Sequence, residues 1–317
     1  MLLVFGSINL DLAFRAPHLP APGETVLGHG LLVSPGGKGA NQAHAARRYG
    51  MPTALVGAVG QDAFAAPALA ALKAAGVNLS ALQVLPGATG CASIAVDDAG
   101  QNQIVVAPGV NLDLSADAVP DALLASAQAV LLQMETDVTQ NLALLKRARG
   151  AGRLTLLNNA PAQALPAELL DLLDVLIVNE GEADLTARGA GLDALAGNTA
   201  TQPALASGER EAALNELALR HGLTVVLTLG AQGAVALDGH QRQAVAAMPV
   251  PVVDTTGAGD TFAGVLAAAL IEGHLLHEAM RRASVAAGLA CTRAGAQAAQ
   301  PARDEIDAAG LRVRVGT

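Results

Sequence analysis

Charge and cysteine are both scarce: only 15% of the 317 residues are charged, and Cys91 and Cys291 are the only cysteines. Two thiols two hundred residues apart allow neither a disulfide framework nor a C-x-x-C zinc or redox motif, and they suit a reducing compartment. The 19 lysines and arginines face 28 acids for a net charge of −9, with no basic cluster of the kind that neutralises a phosphate backbone, so nucleic acid is not an expected partner. The chain is 52% hydrophobic, yet no run of about eighteen uncharged apolar residues reads as a membrane span. The opening Met1-Leu2-Leu3-Val4-Phe5-Gly6-Ser7 lacks the positive segment and longer apolar stretch of an export signal. A soluble, cytoplasmic protein with a sizeable core is expected.

Short apolar runs, by contrast, are plentiful. Leu2 to Phe5, Leu55 to Val59, Ala129 to Gln133, Leu154 to Leu157, Val175 to Val178 and Val225 to Leu229 each have the length of a strand buried on both faces. Between most of them lie Ala-rich stretches of helical character: Asn41 to Tyr49, Phe64 to Ala75, Val138 to Arg149, Arg210 to His221 and Thr261 to Glu272. Several end at a glycine, a helix stop signal. The alternation predicts a doubly wound α/β sheet. Two segments break the rhythm and are predicted to form a separate small sheet: Leu12 to Val33, rich in Pro and Gly, and Thr89 to Val106, with the turn Asp97-Asp98-Ala99-Gly100. Gly189 to Gly208, small and weakly periodic, reads as a surface excursion.

The most informative segment is Asp254-Thr255-Thr256-Gly257-Ala258-Gly259-Asp260-Thr261-Phe262, a glycine turn ahead of a strongly helical stretch. Unpaired backbone N–H groups at a helix N-terminus hold negative charge, so this turn suits a phosphoryl group. A carboxylate at the mouth of such a site, Asp260, repels phosphate and needs a reason. Accepting the proton of an attacking hydroxyl supplies one, whereas a plain helix N-cap aspartate is the structural alternative. A second glycine segment, Gly36-Gly37-Lys38-Gly39-Ala40-Asn41-Gln42, carries one of only three lysines. It is no P-loop, because Gly39 follows Lys38 where Ser or Thr is required. Gly257-x-Gly259-x-x-Ala263 fits the loose dinucleotide fingerprint, but lies late in the chain without a suitably placed acid after a following strand. After the first strand, Asn9 and Asp11 alternate on one side and together suit polyol hydroxyls, or else form a simple turn.

These segments together resemble the ribokinase, or PfkB, family of carbohydrate kinases. The resemblance runs from Gly6-Ser7-Ile8-Asn9 with Asp11 and Pro22-Gly23-Glu24-Thr25, through Gly36 to Gln42, Gln133-Met134-Glu135, Asn158 with Ala160-Pro161-Ala162 and Asn179-Glu180 with Glu182. It continues to Thr228-Leu229-Gly230, Asp254 to Phe262 and Gly295-Ala296-Gln297. It implies one kinase domain over residues 1–317, a three-layer αβα sandwich with a mostly parallel sheet, and a β-sheet lid inserted at about 12–33 and 89–106 that excludes water and makes a homodimer. The implied reaction moves the γ-phosphoryl group of ATP to a primary sugar hydroxyl. Asp260 takes the base position, and Gly257, Ala258 and Gly259 the anion hole.

By the same resemblance Asn9, Asp11, Gly37, Lys38, Asn41 and Glu135 bind sugar. Asn179, Glu182, Thr228, Gly230 and Gly259 bind nucleotide and its magnesium shell, and Ser284 stands at the adenine-pocket position usually held by Asn or His. Asp254 and oxygens at Thr256, Ala290, Arg293, Gly295 and Ala299 take the potassium positions. Asn159 replaces a usual proline, and the 189–208 connection is longer than the family's. The sugar set implies D-ribose, with fructose, 2-keto-3-deoxygluconate or a nucleoside as alternatives. A second substrate phosphate is disfavoured, because Arg15 is the only cation before Lys38. A catalytically idle sugar-responsive regulator and a nicotinamide oxidoreductase are the contrasting classes, opposed by the intact Asp260 turn and the incomplete fingerprint respectively.

Overall fold

The structure, a computed structural model, describes residues 1–192 and 205–315. In chain order its strands are β1 (Leu2–Phe5), β2 (Asn9–Arg15), β3 (Gly30–Gly36), β4 (Thr53–Val56), β5 (Ala58–Val59), β6 (Gln83–Val84), β7 (Gly90–Val96), β8 (Asn102–Ala107), β9 (Ala129–Gln133), β10 (Leu154–Asn158), β11 (Val175–Asn179), β12 (Thr224–Thr228), β13 (Ala234–Leu237) and β14 (Arg242–Val245). Eight of them form the central sheet in the order β14-β13-β12-β11-β10-β9-β1-β4. The six from β12 to β4 run parallel, and the β13–β14 hairpin closes one edge antiparallel.

The apolar runs explain this sheet because side chains alternate across a strand. Leu2 and Val4 enter one core cluster with Leu55, Leu131, Ile177 and Val226, while Leu3 and Phe5 enter another with Val56, Leu132, Val178 and Leu227. Each cluster is completed by helices. The first face is covered by Lys38–Arg48, Ala258–Ile271, Leu276–Ala290 and Arg303–Val315, the second by Val138–Gly150, Glu180–Gly189 and Ser207–His221. The result is the expected αβα sandwich.

Small residues set one distance that matters for the site. The helices Lys38–Arg48 and Ala258–Ile271 pack through Ala43, Ala46, Ala263 and Ala267, all fully buried. At Gly264 a Cβ would come within 2.4 Å of the Gln42 carbonyl oxygen, so only glycine allows this approach.

The separate small sheet has four strands, β3-β2-β7-β8, with β2 and β7 parallel and the outer pairs antiparallel. Its strands depart from the expected bounds. The first begins at Asn9, and Pro17 to Gly28 between β2 and β3 is not strand. The turn Asp97 to Gly100 lies where expected, with Gly100 N–H donating to the Asp97 carbonyl. Phe14, Leu31, Leu32, Ile104 and Val105 on this sheet are exposed.

Other departures have local causes. The helix expected over Phe64 to Ala75 is divided at Leu69 into Ala65–Ala68 and Ala70–Ala75. The excursion predicted over Gly189 to Gly208 is bounded by helices that take in both end residues, and its middle, 193–204, lies outside the described residues.

Leu131 is fully buried at the middle of β9. Leu131→Ala is expected to lower unfolding free energy by about 2–5 kcal/mol in urea titrations with an unchanged slope.

Candidate active site

Strand order reverses beside β1: the chain passes from β1 to β4 on one side and later to β9 on the other. In open α/β sheets ligands bind at such a switch point, beyond the carboxyl ends of the strands. Ser7 follows β1 there and Glu135 follows β9. The Ser7 hydroxyl donates to Glu135 Oε2 at 2.5 Å, and the backbone N–H of Lys38 donates to the same oxygen at 3.0 Å. The Gly39 N–H donates to Ser7 Oγ at 3.2 Å. The Gly-Gly-Lys-Gly segment is thus docked onto the switch point and opens its helix there, with Gly37 as N-cap.

The second glycine segment reaches the same place from the other helix. Gly257 caps Ala258–Ile271 in the left-handed region at φ 71°, and no side chain bonds the N-terminal N–H groups. Asp260 is therefore not the N-cap, and the structural alternative for it falls. Its carboxylate, 7% exposed, is aimed at the other helix. Oδ2 accepts from Asn41 Nδ2 at 2.9 Å and Oδ1 from Gln42 Nε2 at 3.0 Å.

Asp260, Gly257 and Gly259 line a cavity of about 210 Å³ together with Lys38, Asn179, Glu182 and Thr228. Seven residues singled out in the sequence, from four separate segments, meet here. The charge of Asp260 raises the Lys38 pKa above the ordinary lysine value; burial opposes this, and Glu135 and Glu182 add to the rise. Burial likewise raises the Glu182 carboxyl. Asn179 and Glu182 hold each other in a capping box: Asn179 Oδ1 accepts from the Glu182 N–H at 2.9 Å, and Glu182 Oε2 from the Asn179 N–H at 2.8 Å.

On the side of the small sheet, Asn9 and Glu135 line a recess of about 250 Å³ with Val106, Asn111, Leu112 and Met134. Asn111 was not singled out in the sequence. Its Nδ2 donates to Asn9 Oδ1 at 2.8 Å while its Oδ1 accepts from the Ile8 N–H at 2.9 Å, which leaves the Asn9 amide nitrogen as the donor for a ligand. Asp11 lies against Gly36, where a Cβ would come within 2.1 Å of its carboxylate. Burial raises its pKa to about 6, and the charges of Glu135 and Asp260 add to the rise. Asn41 is engaged from both ends, since its Oδ1 accepts from Gln297 Nε2 at 3.0 Å.

Two residues of the expected nucleotide set do not line the cavity. Ser284 is buried, and its hydroxyl donates to the Ala246 carbonyl at 3.0 Å, tying down the chain that follows β14. Gly230 is exposed at the start of a short turn beyond Thr228. Asn159, at the departure from the family pattern, donates to the Gln163 carbonyl and to Thr186 Oγ1.

Asp254 joins the loop before the Asp260 helix to the turn after Leu276–Ala290. Its Oδ1 accepts from Thr256 N–H and Oγ1, and its Oδ2 from the Gly295 N–H at 2.8 Å. Burial pushes its pKa up, but these hydrogen bonds outweigh burial and hold the carboxyl below its ordinary value. The Ala290 carbonyl accepts from the Arg293 N–H at 3.1 Å, and the Arg293 side chain pairs with Glu305. The Asp254 carboxylate and the Ala290 carbonyl are oxygen donors, the type that suits a hard cation. Glu182, a partly buried carboxylate lining the cavity with Asp260, fits a magnesium ion that keeps most of its waters. Among the described residues no three His, Cys, Asp or Glu side chains are grouped to hold a metal outright. No described helix is long and apolar enough to cross a membrane.

Comparison with known proteins agrees with this geometry. Residues 1–303 match the family described as pfkB family carbohydrate kinase. A ribokinase of Lactococcus lactis is 34% identical over 308 residues, 96% of this chain and 95% of that protein. A ribokinase of Mus musculus is 34% identical over 96% of this chain and 93% of its own length. Among solved structures, Thermotoga maritima ribokinase superposes with a TM-score of 0.87 at 31% identity, covering 98% of this chain and 99% of that one. Arabidopsis thaliana ribokinase complexed with ribose and ATP gives 0.86 at 30% identity over 98% of both chains.

The raised Asp11 pKa carries a stability consequence whose sign is fixed. With a folded value of about 6 against 3.8 for the unperturbed group, the folded chain binds more protons between those values, so ionised Asp11 costs stability above pH 6. Asp11→Asn is expected to raise the melting temperature at pH 8, with the gain shrinking as pH falls through 6. Melts at pH 8, 6 and 5 check this.

Proposed function

The chain belongs to the pfkB family of carbohydrate kinases, and from that premise we propose that it is a ribokinase, transferring the γ-phosphoryl group of ATP to the 5-hydroxyl of D-ribose. The observation that carries the reading is the meeting of Asp260, Lys38 and the N-terminus of the Ala258–Ile271 helix around one cavity beyond the carboxyl ends of β10, β11 and β12. That combination provides a proton acceptor, a cation and helix N-terminal N–H donors around one space, the Ala258 N–H also donating to the Thr255 carbonyl at 3.2 Å.

In this mechanism Asn9, Asp11, Lys38, Asn41 and Glu135 hold the sugar, with Gly37 giving its backbone room. Asn111 sets the Asn9 amide so that it donates, while Asp11 and Glu135 accept. The 5-hydroxyl oxygen attacks the γ-phosphorus as Asp260 takes its proton, and the bond to the β-phosphate oxygen breaks to leave ADP. The N–H groups of Gly257, Ala258 and Gly259 accept the charge that builds on the equatorial oxygens. Asn179 and Thr228 belong to the nucleotide side, with Gly230 at its exposed rim, while the Ser284 hydroxyl serves to hold the chain after β14. Glu182 and Asn179 would hold the hydrated magnesium, which supplies charge neutralisation at the β- and γ-phosphate oxygens when bound. Asp254 and the carbonyls of Thr256, Ala290, Arg293, Gly295 and Ala299 would hold potassium, which supplies a positive field next to the anion hole.

Closure of the lid over both substrates excludes water and suppresses ATP hydrolysis. Its exposed apolar residues Leu31, Leu32, Ile104 and Val105 support a homodimer formed through the lid sheets. The two unpaired cysteines support work in a reducing cytoplasm.

ADP release with a panel of free pentoses, hexoses and nucleosides tests the substrate, D-ribose being expected to give the highest kcat/KM. Asp260→Asn is expected to lower kcat by about 10²–10⁴ while sugar binding persists, because the proton acceptor is lost without loss of bulk. Near-normal turnover refutes the assignment. Potassium is expected to stimulate turnover well beyond sodium, and equal rates in the two salts remove the cation from the mechanism.

A further inference from the structure

Gln42 is fully buried and lines neither recess of the site, yet it is the side chain that joins Asp260 to the sheet. Its Nε2 donates to Asp260 Oδ1 and to Asn158 Oδ1, each at 3.0 Å, and its Oε1 accepts from Gln133 Nε2 at 2.7 Å. The orientation of this chain of amides is dictated by the carboxylate. An ionised Asp260 can only accept, so Gln42 must present its nitrogen, its oxygen must face Gln133, and Gln133 must donate. The Gln133 Oε1 atom is left buried without a partner, and the structure bears that cost. Asn158 in turn donates to the Ile177 carbonyl at 3.2 Å. Asp260 is thereby tied through one amide to the ends of β9 and β10, and through Asn158 to the middle of β11.

We propose that Gln42 is a positioning residue for phosphoryl transfer, holding the Asp260 carboxylate in one orientation through the reaction cycle. The proposal rests on the kinase reading given above and deepens it. Asn41, the other partner of Asp260, belongs to the sugar-binding set, so its hydrogen bonds must rearrange when a sugar enters. Gln42 contacts no bound ligand space and has no such reason to move. Both hydrogens of its amide are engaged, so it cannot rotate without breaking bonds to a strand end as well as to the base. An aspartate side chain has two free torsions, and fixing both before substrate arrives removes an entropic part of the barrier.

The test is a double-mutant cycle with sugar binding measured alongside turnover. Gln42→Met keeps the bulk and removes both donors. It is expected to lower kcat per sugar-binding site about 10- to 100-fold with the sugar KM within about twofold. In the Asp260→Asn background the same substitution is expected to cost no further kcat, because the group it positions no longer accepts a proton. Sites are counted by calorimetric sugar titration, so a partly unfolded sample does not mimic the loss.

Gln133→Leu, which frees the Gln42 oxygen without touching Asp260, is expected to lower kcat severalfold with unchanged KM, and it decides the matter if Gln42→Met fails to fold. An unchanged kcat, a change confined to KM, or an equal kcat loss in both backgrounds overturns the proposal. The wild-type arm separates the two levels: absence of sugar-dependent ADP release there rejects the kinase reading itself.

Discussion

The site depends on a carboxylate held between two helices that only small side chains allow to meet. Asp260 sits in the first turn of one helix and accepts its hydrogen bonds from Asn41 and Gln42, the fourth and fifth residues of the other. Those bonds need the axes close, and the alanines of both helices with Gly264 at the crossing permit it. A larger side chain at the contact would separate the base from its partners without altering any residue that touches ligand. Packing and chemistry are therefore the same constraint seen from two sides.

Electrostatically the site is strained toward negative charge. Glu135, Glu182 and Asp260 act on a single lysine, and Asp11 faces Glu135 and Asp260, in a chain of net charge −9. The acids raise the proton affinity of Lys38, and burial with neighbouring charge raises that of Asp11 and Glu182. Such an arrangement binds a polyphosphate only if positive charge arrives with it or is already fixed in the backbone. The uncapped helix N-terminus supplies the fixed part, and the donor sets at Glu182 and Asp254 suit cations for the rest. The acids in turn match the hydroxyl groups of a neutral polyol better than those of a phosphosugar.

Much of this was legible in the chain. Runs such as Leu2 to Phe5 and Ala129 to Gln133 appear as strands at nearly the expected positions, because burial on both faces leaves a continuous apolar signature. The β13–β14 hairpin was missed: its strands have four residues each, and Asp238-Gly239 between them was the available sign. The helices Leu276–Ala290 and Arg303–Val315 were missed as well. The glycine segments pointed to the chemistry, but Asn111 carries no signal of its own, and Gln42, though it ends the second glycine segment, carries none for its link to Asp260. Each is an ordinary buried amide whose meaning lies in which partner it reaches, Asn9 across 102 positions and Asp260 across 218. Ser284 shows the converse, since its alignment with a pocket position does not place its hydroxyl in the cavity.

What the sequence determined alone were properties that act locally: apolar periodicity selects strand or helix, glycine permits a left-handed N-cap, and a glycine turn ahead of a helix offers backbone N–H groups to an anion. What only the tertiary structure decided is which local groups share a space. Reversal of strand order beside β1 brings Ser7, Lys38 and Glu135 together, and the close helix crossing turns Asp260 away from a capping role and toward two amides. Hydrogen bonds act over about 3 Å, so their partners are selected by how layers pack and not by distance along the chain.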